Sequence, residues 1–262
     1  MIRYLRLYYC FLTFSLMKSM QFRFDFFFRI FMDSFFYLVN LAAFWLIFQH
    51  TDKLAGWSFA QSCFFISVFF VVDALFMVFF SSNLWWFPFL INKGDLDFYL
   101  LRPVSTLFFL MLREFSPNSV VNLATAIGIL IVAASHLDQS LGLGEWAFVA
   151  VAIVNGTLLY VTANLAFVLP IFWTHSGRGM VNLYFSATRL IERPDAIYHK
   201  SLRFFLRTLL PFSMIATVPA ELVFTGFPIT LFSQWLVISL CFYAAVYGAW
   251  RIGLRNYSSA SS

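Results

Sequence analysis

Residues 92–105 read NKGDLDFYLLRPVS, with two acids, two bases, a Gly and a Pro in fourteen positions. On one side of this insert, Leu54 to Asn92 holds a single charge, Asp73; on the other, Phe115 to Leu137 holds none. A helix needs about 20 mostly apolar residues to cross a hydrocarbon layer, and both flanks reach that length. The polar stretch is therefore a connection between two membrane spans, and it sets the fold class as an all-α integral membrane protein.

Working outward, the composition agrees. The 262 residues are 61% hydrophobic and only 11% charged, with 37 Phe, 8 Trp and 11 Tyr, and mean hydropathy is +0.82. A soluble domain carries about 25% charged residues, so this chain lacks the polar groups to cover a water-exposed surface. The net charge of +5 does not indicate nucleic acid, because the bases cluster beside apolar runs as at a membrane surface. Cys10, Cys63 and Cys241 show no CxxC or pairing pattern, so neither a disulfide framework nor a metal site is expected. Arg6 interrupts the first apolar stretch and no small-x-small cleavage site follows, which argues against a signal peptide.

Spans are expected at roughly 32–50, 60–83, 115–137, 146–173, 204–223 and 229–250. The fifth is the weakest, because Arg207 and Glu221 leave only Thr208 to Ala220 free of charge. Charge asymmetry supports it nonetheless. Six spans place both termini and the loops around 84–113 and 174–207 on one side, together with sixteen of the seventeen Lys and Arg residues; only Lys53 falls opposite. The positive-inside rule then puts both termini in the cytoplasm, as expected of a bacterial-type inner membrane, with a short tail at 252–262.

Residues 1–31 are too charged to span. Lys18, Asp25, Arg29 and Asp33 share a helical stripe with i,i+4 pairs at Asp25–Arg29 and Arg29–Asp33, among Phe22, Phe26, Phe27 and Phe28. This reads as an amphipathic helix in the membrane interface; the alternative is a first span that starts earlier, near Phe24. Within residues 94–103, Gly94 breaks the preceding helix, Asp95 is the expected N-cap, Leu96 to Leu101 forms a short helix and Pro103 ends it. An acidic start and basic end suit the helix dipole. Physical reasoning takes this stretch either to a small docking element or to a solvated turn.

The segment KGDLDFYLLRPVS resembles the G-x-L-D-x-x-L-x-R-P-v-s signature of permeases in the type-2 class of ATP-binding-cassette exporters, in its six-span branch. LIERPDAIYHKSLRFFLRTLLPFSMIATVPAELV resembles the region before and through that branch's fifth span, and MQFRFDFFF its interfacial helix, with Phe22 where Tyr is usual. The resemblance implies a half-transporter. A permease dimer, either homodimer or heterodimer, forms the pathway in the lipid membrane, and a separate ATPase subunit seats on the loop helix. By that analogy Gly94, Asp95, Leu96, Asp97, Tyr99, Leu100, Arg102 and Pro103 form the coupling surface. The chain has no G-x-x-x-x-G-K-[ST], so no cofactor is expected on it; ATP and Mg would be bound by the partner.

Inside the spans, Asp73 near the middle of the second is costly in lipid. It is either a polar point on the translocation path or a structural acid. Glu221, after Pro219, either gates the far-side mouth or stabilises a turn there. Asn40, Asn122, Asn155 and Asn164 are expected to bond between helices, and Ala244 with Gly248 to permit close packing. His50, His136, His175 and His199 lie in separate connections without metal-ligand spacing. THSGRG at Thr174 to Gly179 lacks a nucleophile-elbow context. Alternatives to the permease are an intramembrane lipid- or peptide-processing enzyme and a stand-alone ion-coupled carrier. Neither uses a docking helix.

Overall fold

The computed structural model describes residues 2–21, 23–174, 183 and 186–257. Among the described residues every extended element is a helix, joined by turns and short loops, without strands. Helix α1 covers Ile2–Gln21, α2 Arg23–Phe48, α3 Phe59–Phe79 and α4 Ser81–Lys93. The short α5 (Asp97–Leu100) and α6 (Thr106–Leu112) precede α7, Asn118–Ser135. They are followed by α8 (Leu143–Val168) and α9 (Ile171–Thr174). After the described part of the next loop come α10 (Lys200–Thr208), α11 (Thr217–Thr225) and α12 (Ile229–Asn256).

Local signals set these limits. Ser58 begins α3 with a capping box, in which its Oγ accepts from the Gln61 N–H at 3.3 Å and Gln61 Oε1 accepts from the Ser58 N–H at 2.9 Å. Gly94 ends α4 in the left-handed region at φ 78°, as the sequence requires of a residue without Cβ. Helix α2, which holds the first candidate span Phe26–Phe48, begins at Arg23, and α1 ends at Gln21.

Helix α3 is the axis of the bundle. It is buried without a break from Phe64 to Ala74, because α2, α7, α8 and α11 surround it. Its sequence is apolar on every face, as an all-round buried helix demands. Helix α2 does the opposite: Phe27, Phe28, Phe31, Phe35 and Leu38 are exposed, a coat suited to lipid.

Polar ties cross the bundle at few points. Asn155 Nδ2 donates to Ser239 Oγ at 3.2 Å, and the Tyr243 hydroxyl donates to Asn155 Oδ1 at 2.9 Å, joining α8 to α12. Asn122 reaches Asp33 on α2. Asn40 and Asn164 instead donate to carbonyls of their own helices, Phe36 and Tyr160. No atom among the described residues lies within 4 Å of where a Gly248 Cβ would sit, so Gly248 makes no close crossing with them.

Among the described residues, five helices are long and apolar enough to cross a membrane: Phe26–Phe48, Phe59–Phe79, Asn118–Ser135, Leu143–Thr174 and Ile229–Asn256. The segment read as a fifth span, 204–223, is not one helix. Helix α10 ends before Pro211, a 3-10 turn follows at Phe212–Met214, and α11 begins at Thr217. Pro211 supplies no N–H to continue α10. Residues 211 to 220 are buried without exception, and irregular backbone at membrane depth is tolerated only where protein covers it.

That break is packed against Gly156. A Cβ built on Gly156 would lie 2.7 Å from the Ile215 carbonyl oxygen and 3.1 Å from Val72 Cγ2. Gly156→Ala should therefore destabilise the detergent-purified chain by about 1–3 kcal/mol. Gly248→Ala should be close to neutral. Thermal unfolding of the two variants side by side checks both.

Candidate docking element and polar sites within the bundle

The 94–113 segment is held as one small unit. Leu96, rather than Asp95, occupies the cap position of α5, without a side-chain cap. The Asp95 carbonyl accepts from the Phe98 N–H at 3.3 Å, and the Leu96 carbonyl from those of Tyr99 and Leu100 at 2.9 and 3.1 Å. Leu96 and Tyr99 point inward and are buried. Arg113 donates to the Tyr99 hydroxyl, and the Tyr99 ring meets Phe109 edge-on at 5.3 Å. Arg102 folds back with its Cζ 4.6 Å above the Phe109 ring, while its Nε donates to the Phe98 carbonyl at 3.3 Å.

The outward face is apolar. Phe98 is 67% exposed and Leu101 82% exposed, and neither stood among the residues carried over from the signature. A signal was there: at i and i+3 they share a helix face opposite Leu96 and Tyr99.

Both ends of the described chain reach this element. The Tyr4 hydroxyl accepts from the Ser105 N–H at 3.1 Å, and the Tyr4 ring meets Phe108 at 4.8 Å. Phe11 meets Phe109 at 5.1 Å, and Ser15 Oγ accepts from the Phe115 N–H at 3.1 Å. Tyr257, just past α12, lies beside Asp97 with its hydroxyl shielded from solvent and without a well-aligned partner. Burial, then the Asp97 charge, pushes its pKa above the ordinary tyrosine value.

Asp73 is buried but not isolated. The Tyr160 hydroxyl on α8 bonds it, and Asp33 and Glu192 lie within electrostatic reach. Asp33 does not rest on Arg29 alone: Asn122 Nδ2 donates to Asp33 Oδ2 at 2.5 Å, with Arg29 contributing at longer range. Glu192, in the loop before α10, has its carboxyl pushed above the usual range by burial, against the pull of Arg193 and Arg189. Sequence reading had no access to this gathering, because the three acids come from α2, α3 and a distant loop.

A second polar site joins that loop to the broken segment. Asp195, buried to 1% exposure, accepts from Arg207 Nε at 2.5 Å and pairs with Arg203 at 3.3 Å. Arg207 also donates to Glu221 Oε2 at 2.7 Å. Glu221 is thus half of an ion pair to α10. The expectation that Arg207 and Glu221 mark opposite interfaces gives way to direct contact, because the break at 209–216 lets α10 and α11 converge. Beyond these sites, an apolar groove of about 1270 Å³ runs between α2, α3 and α7, walled by Leu41, Trp45, Phe59 and Ile129, with His136 and Asp138 at its rim. Phe22, the side chain of Asp25, and residues 175–179, including His175 and Arg178, lie outside what is described.

These features define a multi-pass, all-helical membrane protein. A family model described as ABC-2 family transporter protein matches residues 35–261. The chain belongs to that family and is an ATP-binding-cassette transport permease. No curated protein and no solved structure matches the chain.

The Asp195–Arg207–Glu221 triad yields a stability prediction. Removing one partner of a buried ion pair costs about 3–5 kcal/mol, and the partial exposure of Arg207 and Glu221 moves the cost to the low end. Arg207→Ala should lower the melting temperature of the purified chain clearly more than Arg203→Ala, which leaves the 2.5 Å contact intact. Equal shifts in a thermal melt would show that Arg207 has no special share in holding the break.

Proposed function

We propose that this chain is the membrane half of an exporter in which two permeases, identical or related, form the pathway and a separate ATPase seats on residues 94–103. The basic end of the bundle faces the cytoplasm of a bacterial-type inner membrane, with both termini on that side. Helix α1 lies in the interface there. Helices α10 and α11, with the turn between them, make the sixth crossing in two pieces. ATP and Mg bind the partner, since the sequence carries no P-loop.

One observation carries this reading. A four-residue helix at the basic end is anchored by Leu96 and Tyr99 and presents Phe98 and Leu101 outward. Exposed apolar side chains on a rigid base fit a partner's cleft better than water. In this division of labour Phe98, Leu100 and Leu101 touch the ATPase. Asp95, Asp97 and Arg102 orient the contact, while Gly94 and Pro103 set its limits. The groove between α2, α3 and α7 supports an amphipathic or lipid-like cargo, because its walls are apolar and its rim polar.

The buried Asp73, with Asp33 and Glu192 within electrostatic reach, favours a second reading, in which an ion-coupled step takes part in transport. Asp73→Asn separates the two. If transport and assembly are unchanged, the charge has no role and the second reading falls.

For the leading reading, Leu101→Asp should cut recovery of the ATPase with the tagged permease roughly tenfold, from the about 1.5–3 kcal/mol that a buried Leu contributes. Membrane insertion should be normal. Arg102→Ala and Asp97→Ala should leave ATP hydrolysis running while transport fails. Normal transport in both, with full ATPase recovery in Leu101→Asp, would remove the docking assignment.

A further inference from the structure

A polar pocket of the bundle lies apart from the exposed face of α5. It lies between α1, the start of α2, α4 and the 113–118 linker, with a volume of about 880 Å³. Three cations line it, Lys18, Arg29 and Arg113, against one anion, Glu114. The Lys18–Glu114 contact is 3.6 Å between partly exposed groups and worth little in itself. Ser19, Ser81 and Ser82 also line this space. Pro117 and Asn118 bring in the N-terminal, positive end of the 18-residue helix α7.

We infer that this pocket binds the phosphoryl headgroup of an anionic phospholipid. Convergent bases, hydroxyl donors and a helix N-terminus are the chemistry that holds a phosphate. The rim points to a lipid as its source. Trp85, Trp86 and Phe14 line the pocket and stay exposed; Trp favours headgroup depth. The exposed Phe24, Phe27, Phe28 and Phe31 of α2 continue from it as a surface for acyl chains. A free phosphate would gain nothing from these aromatic flanks.

The inference rests on membrane embedding and not on the ATPase reading. It links to the docking element all the same, because Arg113 lines the pocket and bonds the Tyr99 hydroxyl. A bound headgroup would share that guanidinium and steady the anchor of α5.

The test uses the full chain in mixed micelles of phosphatidylglycerol and phosphatidylcholine with identical acyl chains, and native mass spectrometry counts the lipid retained. Wild type should hold phosphatidylglycerol in preference. Each base near an anionic lipid is worth about fivefold, so Lys18→Gln with Arg29→Gln should lower that preference roughly 25-fold. Lys53→Gln, on the far side, should leave it unchanged. Chain-brominated phosphatidylglycerol should quench tryptophan fluorescence more in wild type than in Trp86→Phe. Equal retention of the two lipids by wild type, or an unaltered preference in the double variant, overturns the site. Displacement of the lipid by excess inorganic phosphate overturns the lipid and makes soluble phosphate the ligand.

Discussion

Helix α3 crosses the middle of the molecule with a carboxylate in it, and such a group costs about 2.5–3.5 kcal/mol in hydrocarbon. Burial from Phe64 to Ala74 takes Asp73 away from lipid, and that burial requires α2, α7, α8 and α11 to close around α3. The closure in turn places Tyr160 against the acid and draws Asp33 and Glu192 near it. The close approach of Gly156 to the Ile215 carbonyl belongs to the same enclosure. Were α3 to face lipid, the broken backbone at 209–216 would lose part of its cover and its hydrogen bonding would be left open.

The bundle handles charge in two ways. In the 94–113 segment, charges sit on short helices and linkers, stacked on aromatic rings as Arg102 is on Phe109. In the loop before α10 and in the broken segment, charges are paired in place, as Asp195 is with Arg207 and Arg203. The first arrangement leaves apolar side chains exposed beside the charges. The second fixes the path of a chain that cannot continue as helix past Pro211.

Much of this was legible in the sequence. The apolar runs gave the long helices, because length and freedom from charge are properties of one segment at a time. Gly94 ended α4 through a backbone freedom that acts within a few residues. Contacts between distant segments were not legible. The fifth segment looked like a short span because Arg207 and Glu221 lie fourteen positions apart, and only the break between them brings the charges together. Nor could the signature tell Leu96 and Tyr99, which anchor, from Phe98 and Leu101, which face out. That distinction depends on Phe109 and Arg113, supplied from beyond Pro103.

A helix of four residues has almost no stiffness of its own, since its nucleus costs more than so few hydrogen bonds return. The rigidity of α5 is borrowed from elsewhere in the chain. Tyr4 reaches the Ser105 backbone from α1, and Tyr257, just past α12, comes within electrostatic reach of Asp97. Residues separated by almost the full length of the chain therefore meet at one short element. The geometry of residues 97–100 thus depends on how the two ends of the described chain are packed, and a change at either end alters it without touching α5.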